Sequence, residues 1–286
     1  MTRVPILLRD PRAVVGLAIL GLFVIVAVFA PVVAPTDPTL QGDILRTRYL
    51  APWSTGPDGV LHILGTDRFG RDMLSRLIFG TRISLTVGLL SVAVSVVVGC
   101  TVGVGAALGG RWVEHVLMAI TDAALAMPRL VLLLALVALW EPSITIVILV
   151  LGLTGWMGIA RLTRAEVKGV LARPFIDAAR AQGMSLPRLL WRHLMPNATT
   201  PVIVAAALAV GSAITLESGL SFLGIGVPPP TPSWGNMISS GRDAMVHAPW
   251  IATLPGLAIV LAVVATNLLA DSLRDVLDPA TRPPTR

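Results

Sequence analysis

Six long apolar blocks, at roughly 13–34, 83–108, 116–139, 143–160, 198–216 and 250–270, constrain this chain more than any other feature. Each is close to the ~20 residues that a helix needs to cross the hydrocarbon layer. Lipid offers no hydrogen-bond partner, so a spanning backbone must satisfy its own polar groups, and a helix does this within one segment. The expected fold is therefore all-α, an integral membrane bundle of six transmembrane helices. Charge agrees: 13% of the 286 residues are charged, against about a quarter in a soluble domain. Arg3, Arg9 and Arg12 precede the first block and Val28-Phe29-Ala30 ends it, the outline of a secretory signal. Its length and the Pro31 after the would-be cleavage site favour a retained anchor instead.

Six crossings place both termini on one side. That side carries fourteen Lys and Arg, seven of them between 161 and 196, and the opposite side carries seven. Positive charge stays in the cytoplasm, so a bacterial-type cytoplasmic membrane with both termini and the 161–196 loop inside is expected. The 35–82 loop, with six arginines, fits this rule poorly.

The chain divides into an N-terminal segment with the first helix (1–34), an extracytoplasmic loop (35–82), a five-helix core (83–279) containing the 161–196 loop, and a short tail (280–286). Phe69, Met73 and Leu77 recur at four-residue spacing, with Leu74 and Ile78 alongside. That pattern predicts an amphipathic helix at the membrane surface, serving as a lead-in to the second span or as a contact for an external partner. Gly99-x-x-x-Gly103 and Gly105-x-x-x-Gly109 in the second span predict close helix packing, with Cys100 a small core residue between them. Asp122 and Arg129 lie seven residues apart in the third span, on roughly one face, with Pro128 between them to kink the helix. They would pair within the bundle or line a pathway. Asn267 and Asp271 would tie the end of span six to the bundle or to the 161–196 loop, and Asp275 and Asp278 would be solvated or helix-ending.

The stretch FIDAARAQGMSLPRLLWRHLMPN, from Phe175 to Asn197, reads as a helical turn, a glycine break at Gly183, a second short helix capped by Ser185, and a stop at Pro196. Asp177, Ala178 and Ala179 give the first helix a flat face that another protein can approach. The stretch is either a docking element or a basic loop held near anionic lipid by Arg173, Arg180, Arg188 and Arg192. The loop 217–249 carries Glu217, Ser221 and Phe222, then Pro228-Pro229-Pro230, Pro232 and Trp234. It would be a stiff cap with Trp234 and Trp250 at head-group level, or a surface for an external protein, dipping into it to displace solute.

The loop spacing resembles the coupling loop of ATP-binding-cassette (ABC) importer permeases: Glu-Ala-Ala, three residues, Gly, nine residues, Ile, one residue, Leu-Pro. The matching positions are Asp177, Ala178, Ala179, Gly183, His193, Met195 and Pro196, with Asp, His and Met as departures. LGTDRFGRDMLSRLIFGTRISLTVG (64–88), GLSFLGIGVPPPTPSWGNMISSGRD (219–243) and APWIATLPGLAIVLAVVATNLLADSLRDVLDP (248–279) resemble the second permease subunit of dipeptide, oligopeptide and nickel importers. The resemblance covers about residues 5 to 279. It implies a type I importer permease fold and a heterodimer with a homologous permease. It also implies two cytoplasmic ATPases docked on 172–196 that bind ATP and Mg, an extracytoplasmic binding protein, and alternating access. Lipid is the other expected partner, with no nucleic acid. Peptides are the expected cargo, with nickel or another small solute as the alternative.

No Gly-x-x-x-x-Gly-Lys-Ser/Thr loop is present, so no phosphate cradle or enzyme activity of its own is expected. His62, His115, His193 and His247 are isolated from one another, without metal-ligand spacing. A self-contained secondary transporter would show internal repeats and broken-helix ion sites, and the sequence shows neither.

Overall fold

Asp10 begins the first spanning helix, α1 (Pro11–Val28): its carboxylate accepts the backbone N–H of Arg12, and Pro11 occupies the first turn, where a missing N–H costs nothing. The structure is a computed structural model that describes residues 7–57 and 59–277; Arg3, Asp278 and the 280–286 tail lie outside the described residues. Two short helices follow, α2 (Ala30–Val33) and α3 (Ile44–Thr47), then a two-stranded antiparallel ribbon of β1 (Ser54–Thr55) and β2 (Leu61–His62). The central helix α4 (Met73–Leu108) is followed by α5 (Gly110–Ala126), α6 (Arg129–Val137), α7 (Ile144–Leu153) and α8 (Trp156–Leu171). The chain then forms α9 (Pro174–Ala181), α10 (Leu186–Leu189), a π-helical turn (Leu190–Leu194), α11 (Met195–Phe222), α12 (Trp234–Gly241) and α13 (Trp250–Leu277).

Five helical stretches are long and apolar enough to cross a membrane: α1, α4, α7 with α8, α10 through α11, and α13. The bent pair α5 and α6 qualifies as a sixth. The ends of the chain decide whether it counts. Ser272 Oγ donates to Asp10 Oδ2 at 2.6 Å, and Arg12 Nη2 donates to Asp275 Oδ2 at 2.6 Å. The start of α1 and the end of α13 therefore share one end of the bundle. Only an even number of crossings permits that, so α5 and α6 together complete the sixth. The bond from Ser272, then those from Arg12, hold the Asp10 carboxyl below the ordinary aspartate range. Asp275 is solvent-exposed as expected and is also ion-paired. These contacts tie down the end of α13, a role expected of Asn267 and Asp271, which are both exposed.

Helix α4 is the spine of the bundle, packing on α1, α5, α7, α8 and α11. Its most extensive contact is with α8. A Cβ added to Gly99 would sit 2.8 Å from Ile159 Cβ, and one added to Gly103 would sit 2.6 Å from the Ala160 carbonyl oxygen. The second glycine pair does not pack this way. A Cβ on Gly105 would meet only Leu117 Cδ1, at 3.7 Å, and Gly109 caps α4. Cys100 is half-buried beside Thr163.

Two boundaries depart from the sequence reading, and a third agrees with one of its alternatives. The amphipathic stretch is the lead-in to span two, continuous with it as the first turns of α4: Asp72 caps the helix through the Ser75 N–H, and Met73, Arg76 and Ile78 are buried rather than at the surface. Span three is broken rather than kinked. Met127 precedes a proline and is pushed to extended backbone, Pro128 is extended too, and α5 and α6 meet at 90°. Pro196 does not stop a helix. It lies in the first turn of α11, and the π turn before it absorbs the missing N–H: Met195 N–H bonds the Leu190 carbonyl, and Asn197 Nδ2 takes the His193 carbonyl at 2.7 Å.

Gly103→Val should lower the thermal stability of the purified protein by about 1–3 kcal/mol through overpacking. Gly105→Val should stay within about 0.5 kcal/mol of wild type. Equal melting temperatures for the two variants would contradict the close α4–α8 contact.

Candidate functional site

The segment 172–196 folds onto the end of the bundle through one apolar face. Pro174 starts α9 at its first position, where proline is favoured. Ile176, Ala179, Leu189 and Leu194 are buried with Val167 and Val170 of α8 and Ala198 of α11. Two bonds end α9: Gly183 N–H to the Arg180 carbonyl at 2.9 Å and Met184 N–H to the Ala179 carbonyl at 3.2 Å. They form a Schellman cap, which needs a left-handed residue, and Gly183 has φ +77. Ser185 takes the cap position of α10, but its hydroxyl makes no capping bond.

The other face looks outward. Asp177, Ala178, Gly183 and Pro196 are exposed, while His193 and Met195 are half-buried. Phe175, 41% exposed, packs at a tilt against the His193 ring with centroids 5.9 Å apart, and Trp191 is 72% exposed. Of the two alanines expected to form a flat outer surface, only Ala178 lies there. Ala179 faces the opposite way and is packed in the core.

At the other end of the bundle the structure moves the expected contact residues inward. The 217–249 loop begins only after Phe222, because α11 continues that far. Glu217 is fully buried and Ser221 nearly so. Ser221 Oγ donates to Glu217 Oε1 at 2.7 Å, with Ser84 and Ser218 on Oε2 at 3.3 and 3.4 Å. No cation pairs with this carboxylate among the described residues. Ser221 Oγ also accepts the Val227 N–H at 3.0 Å, and Ser84 Oγ accepts the Trp234 N–H at 3.1 Å. Trp234 is fully buried against Phe23 rather than at head-group level. Burial inside one chain excludes Glu217, Ser221 and Trp234 from contact with an outside protein in this conformation; Phe222 alone is exposed. Together the three buried residues fasten α4, α11 and α12 to the proline-rich loop.

The expected Asp122–Arg129 pair is not formed. The 90° break carries Arg129 away, and Asp122, 60% exposed, lies 3.8 Å from Arg161 of α8. The well-made ion pairs at that end centre on Glu114, which accepts from Arg164 and from Lys168, the latter at 2.5 Å, and so joins α5 to α8. Ser84 and Glu114 were not singled out in the sequence. A serine in an uncharged span and a glutamate beside a predicted helix boundary carry no periodic signal.

Residues 95–283 match the family model for the binding-protein-dependent transport system inner membrane component. Residues 6–52 match the N-terminal transmembrane domain of oligopeptide transport permease C. The chain is 42% identical over 273 residues to the di/tripeptide transport system permease protein DppC of Pseudomonas aeruginosa, covering 95% of this chain and 89% of that protein. It is 37% identical to the dipeptide transport system permease protein DppC of Alkalihalophilus pseudofirmus, covering 95% and 86%. An inward-facing structure of the MetNI methionine ABC transporter shares the fold at a TM-score of 0.61 and 18% identity, covering 72% of this chain and 98% of that one.

Ser221→Ala should remove the donor to Glu217 and the acceptor for Val227, and lower thermal stability by about 1–3 kcal/mol. Ser239→Ala, which removes an exposed hydroxyl bonded to the Phe222 carbonyl, should cost less. The reverse ranking in melting experiments would contradict the buried network.

Proposed function

The chain belongs to the family of binding-protein-dependent transport system inner membrane components, and from that membership we propose that it forms half of the transmembrane path of an ATP-driven peptide importer. Its partners are a homologous second permease, two cytoplasmic ATPases that bind ATP and Mg, and an extracytoplasmic protein that delivers the solute. Di- or oligopeptides are the cargo, as supported by relatives with peptide-transport names at 37–42% identity. The end bearing α9, α10 and both termini faces the cytoplasm, and the end bearing β1, β2 and α12 faces outward.

The observation that carries this reading is the two-faced geometry of 172–196. Asp177, Ala178, Phe175 and Trp191 offer a surface outside the bilayer, while Ile176, Ala179, Leu189 and Leu194 are locked into α8 and α11. A force on the outer face is transmitted as motion of two spanning helices, because a close-packed contact has little slack. Glu114 extends the linkage from α8 to α5. ATPase closure can thus rotate the helices that border the path, without any nucleotide chemistry in this chain.

Gly183→Arg tests the reading. An L-residue at φ +77 costs roughly 1–2 kcal/mol, and nothing lies within 4 Å of the added Cβ inside the chain, so the arginine projects into the docking space. Peptide uptake by membranes carrying the variant should fall at least tenfold while membrane insertion persists. Gly183→Asn, which tolerates the left-handed region, should retain most uptake. Wild-type uptake by Gly183→Arg would overturn the docking assignment.

A further inference from the structure

A cleft of about 330 Å³ opens between the start of α4, the loop after α11, and α12. Arg68, Phe69, Arg71, Arg76, Asn236 and Arg242 line it. Its four arginines share two carboxylates, Asp67 and Asp243. Asp67 holds Arg71 most closely: its Oδ2 accepts Arg71 Nε at 2.7 Å and Arg71 Nη2 at 2.6 Å, while its Oδ1 takes the backbone N–H groups of Phe69 and Arg71. Arg242 pairs with Asp243 at 3.2 Å, and both are exposed. The cationic excess rests on Arg68 and Arg76. Arg68 and Arg71 both sit 4.6 Å from the centroid of the Phe69 ring, which holds the two guanidinium groups in place.

Arg76 is the informative residue. Its side chain is 4% exposed and its Nε lies 3.5 Å from the Asp67 oxygen already shared with Arg71. One Nη donates to the Pro38 carbonyl at 3.1 Å, but Nε has no hydrogen-bond partner among the described residues. A buried, charged donor left open is costly. A guanidinium fork is matched by a planar carboxylate, which accepts two parallel N–H bonds.

We infer that this cleft binds a carboxylate on the outer side of the membrane, with Arg76 as the buried anchor and Arg68 and Arg242 at the rim. The inference rests on the importer reading above, which supplies two carboxylate sources at this face: the free C-terminus of a delivered peptide, or an acidic side chain of the delivering protein. Asn236 does not compete for this role, because its amide is held by the Thr231 and Val227 carbonyls and the Ser233 N–H.

The test uses the complete importer in lipid vesicles, with uptake of dialanine and of its C-terminal amide, and a separate measurement of binding-protein affinity for the permease complex. Arg68→Gln combined with Arg242→Gln removes exposed charges and leaves the fold intact. Arg76→Lys keeps the buried charge but loses the fork. If the peptide supplies the group, the apparent KM for dialanine should rise roughly tenfold in both variants, with kcat and amide uptake unchanged. If the binding protein supplies it, its affinity should fall roughly tenfold and both solutes should suffer alike. Unchanged KM and unchanged affinity in the charge-removing variant would overturn the carboxylate cleft. Absence of any peptide uptake by wild type would instead contradict the peptide reading, and the affinity measurement would still decide the cleft.

Discussion

A backbone in lipid must satisfy its own hydrogen bonds, and the side chains that let such helices touch must then be small. Both demands meet in α4. Its 36 residues close their own ladder from end to end, and Gly99 and Gly103 let the α8 backbone come within contact of it. With α8 fixed on α4, the segment 172–196 has a rigid floor. With α11 also packed on α4, the carboxylate of Glu217 is enclosed by serines from α4 and α11. The two ends of the bundle, one apolar and basic, the other hydroxyl-rich, are thus built on one helix.

Polar groups are confined to places where they can be satisfied. Glu217 takes hydroxyls, Asp67 takes arginine and backbone N–H groups, and Asp72 takes the Ser75 N–H and the His62 ring at 2.9 Å. The start of α1 and the end of α13 are joined through Asp10, Arg12, Ser272 and Asp275. Each of these devices acts at or near a helix end, while the close contact of α4 with α8 lies within the spans.

Much of this was legible in the sequence. Apolar block length gave the helices, and Gly99 and Gly103 marked the close contact of α4 with α8. Gly183 marked the left-handed turn, because only its spacing after an alanine-rich helix fits a Schellman cap. What escaped had physical causes. Proline was read as a stop at Pro196 and as a mild kink at Pro128. The π turn absorbed the first, and two consecutive extended residues turned the second into a right angle, separating Asp122 from Arg129. Polarity was read as exposure at Glu217 and Ser221, and an aromatic ring as a head-group anchor at Trp234. Glu217 and Trp234 both bond Ser84, more than a hundred residues away in sequence, and no local pattern reports such a partner.

The most direct measurement is a cross-link from position 178, the exposed alanine of α9. Ala178→Cys in a Cys100→Ala background, purified in mild detergent with its companions and treated with a short thiol-to-amine reagent, should join to a subunit that carries a phosphate-binding loop. The yield should change when ATP is bound. Purification of the chain without any ATPase, or an unmodified position 178 in a complex that contains one, would contradict the transmission of force through 172–196.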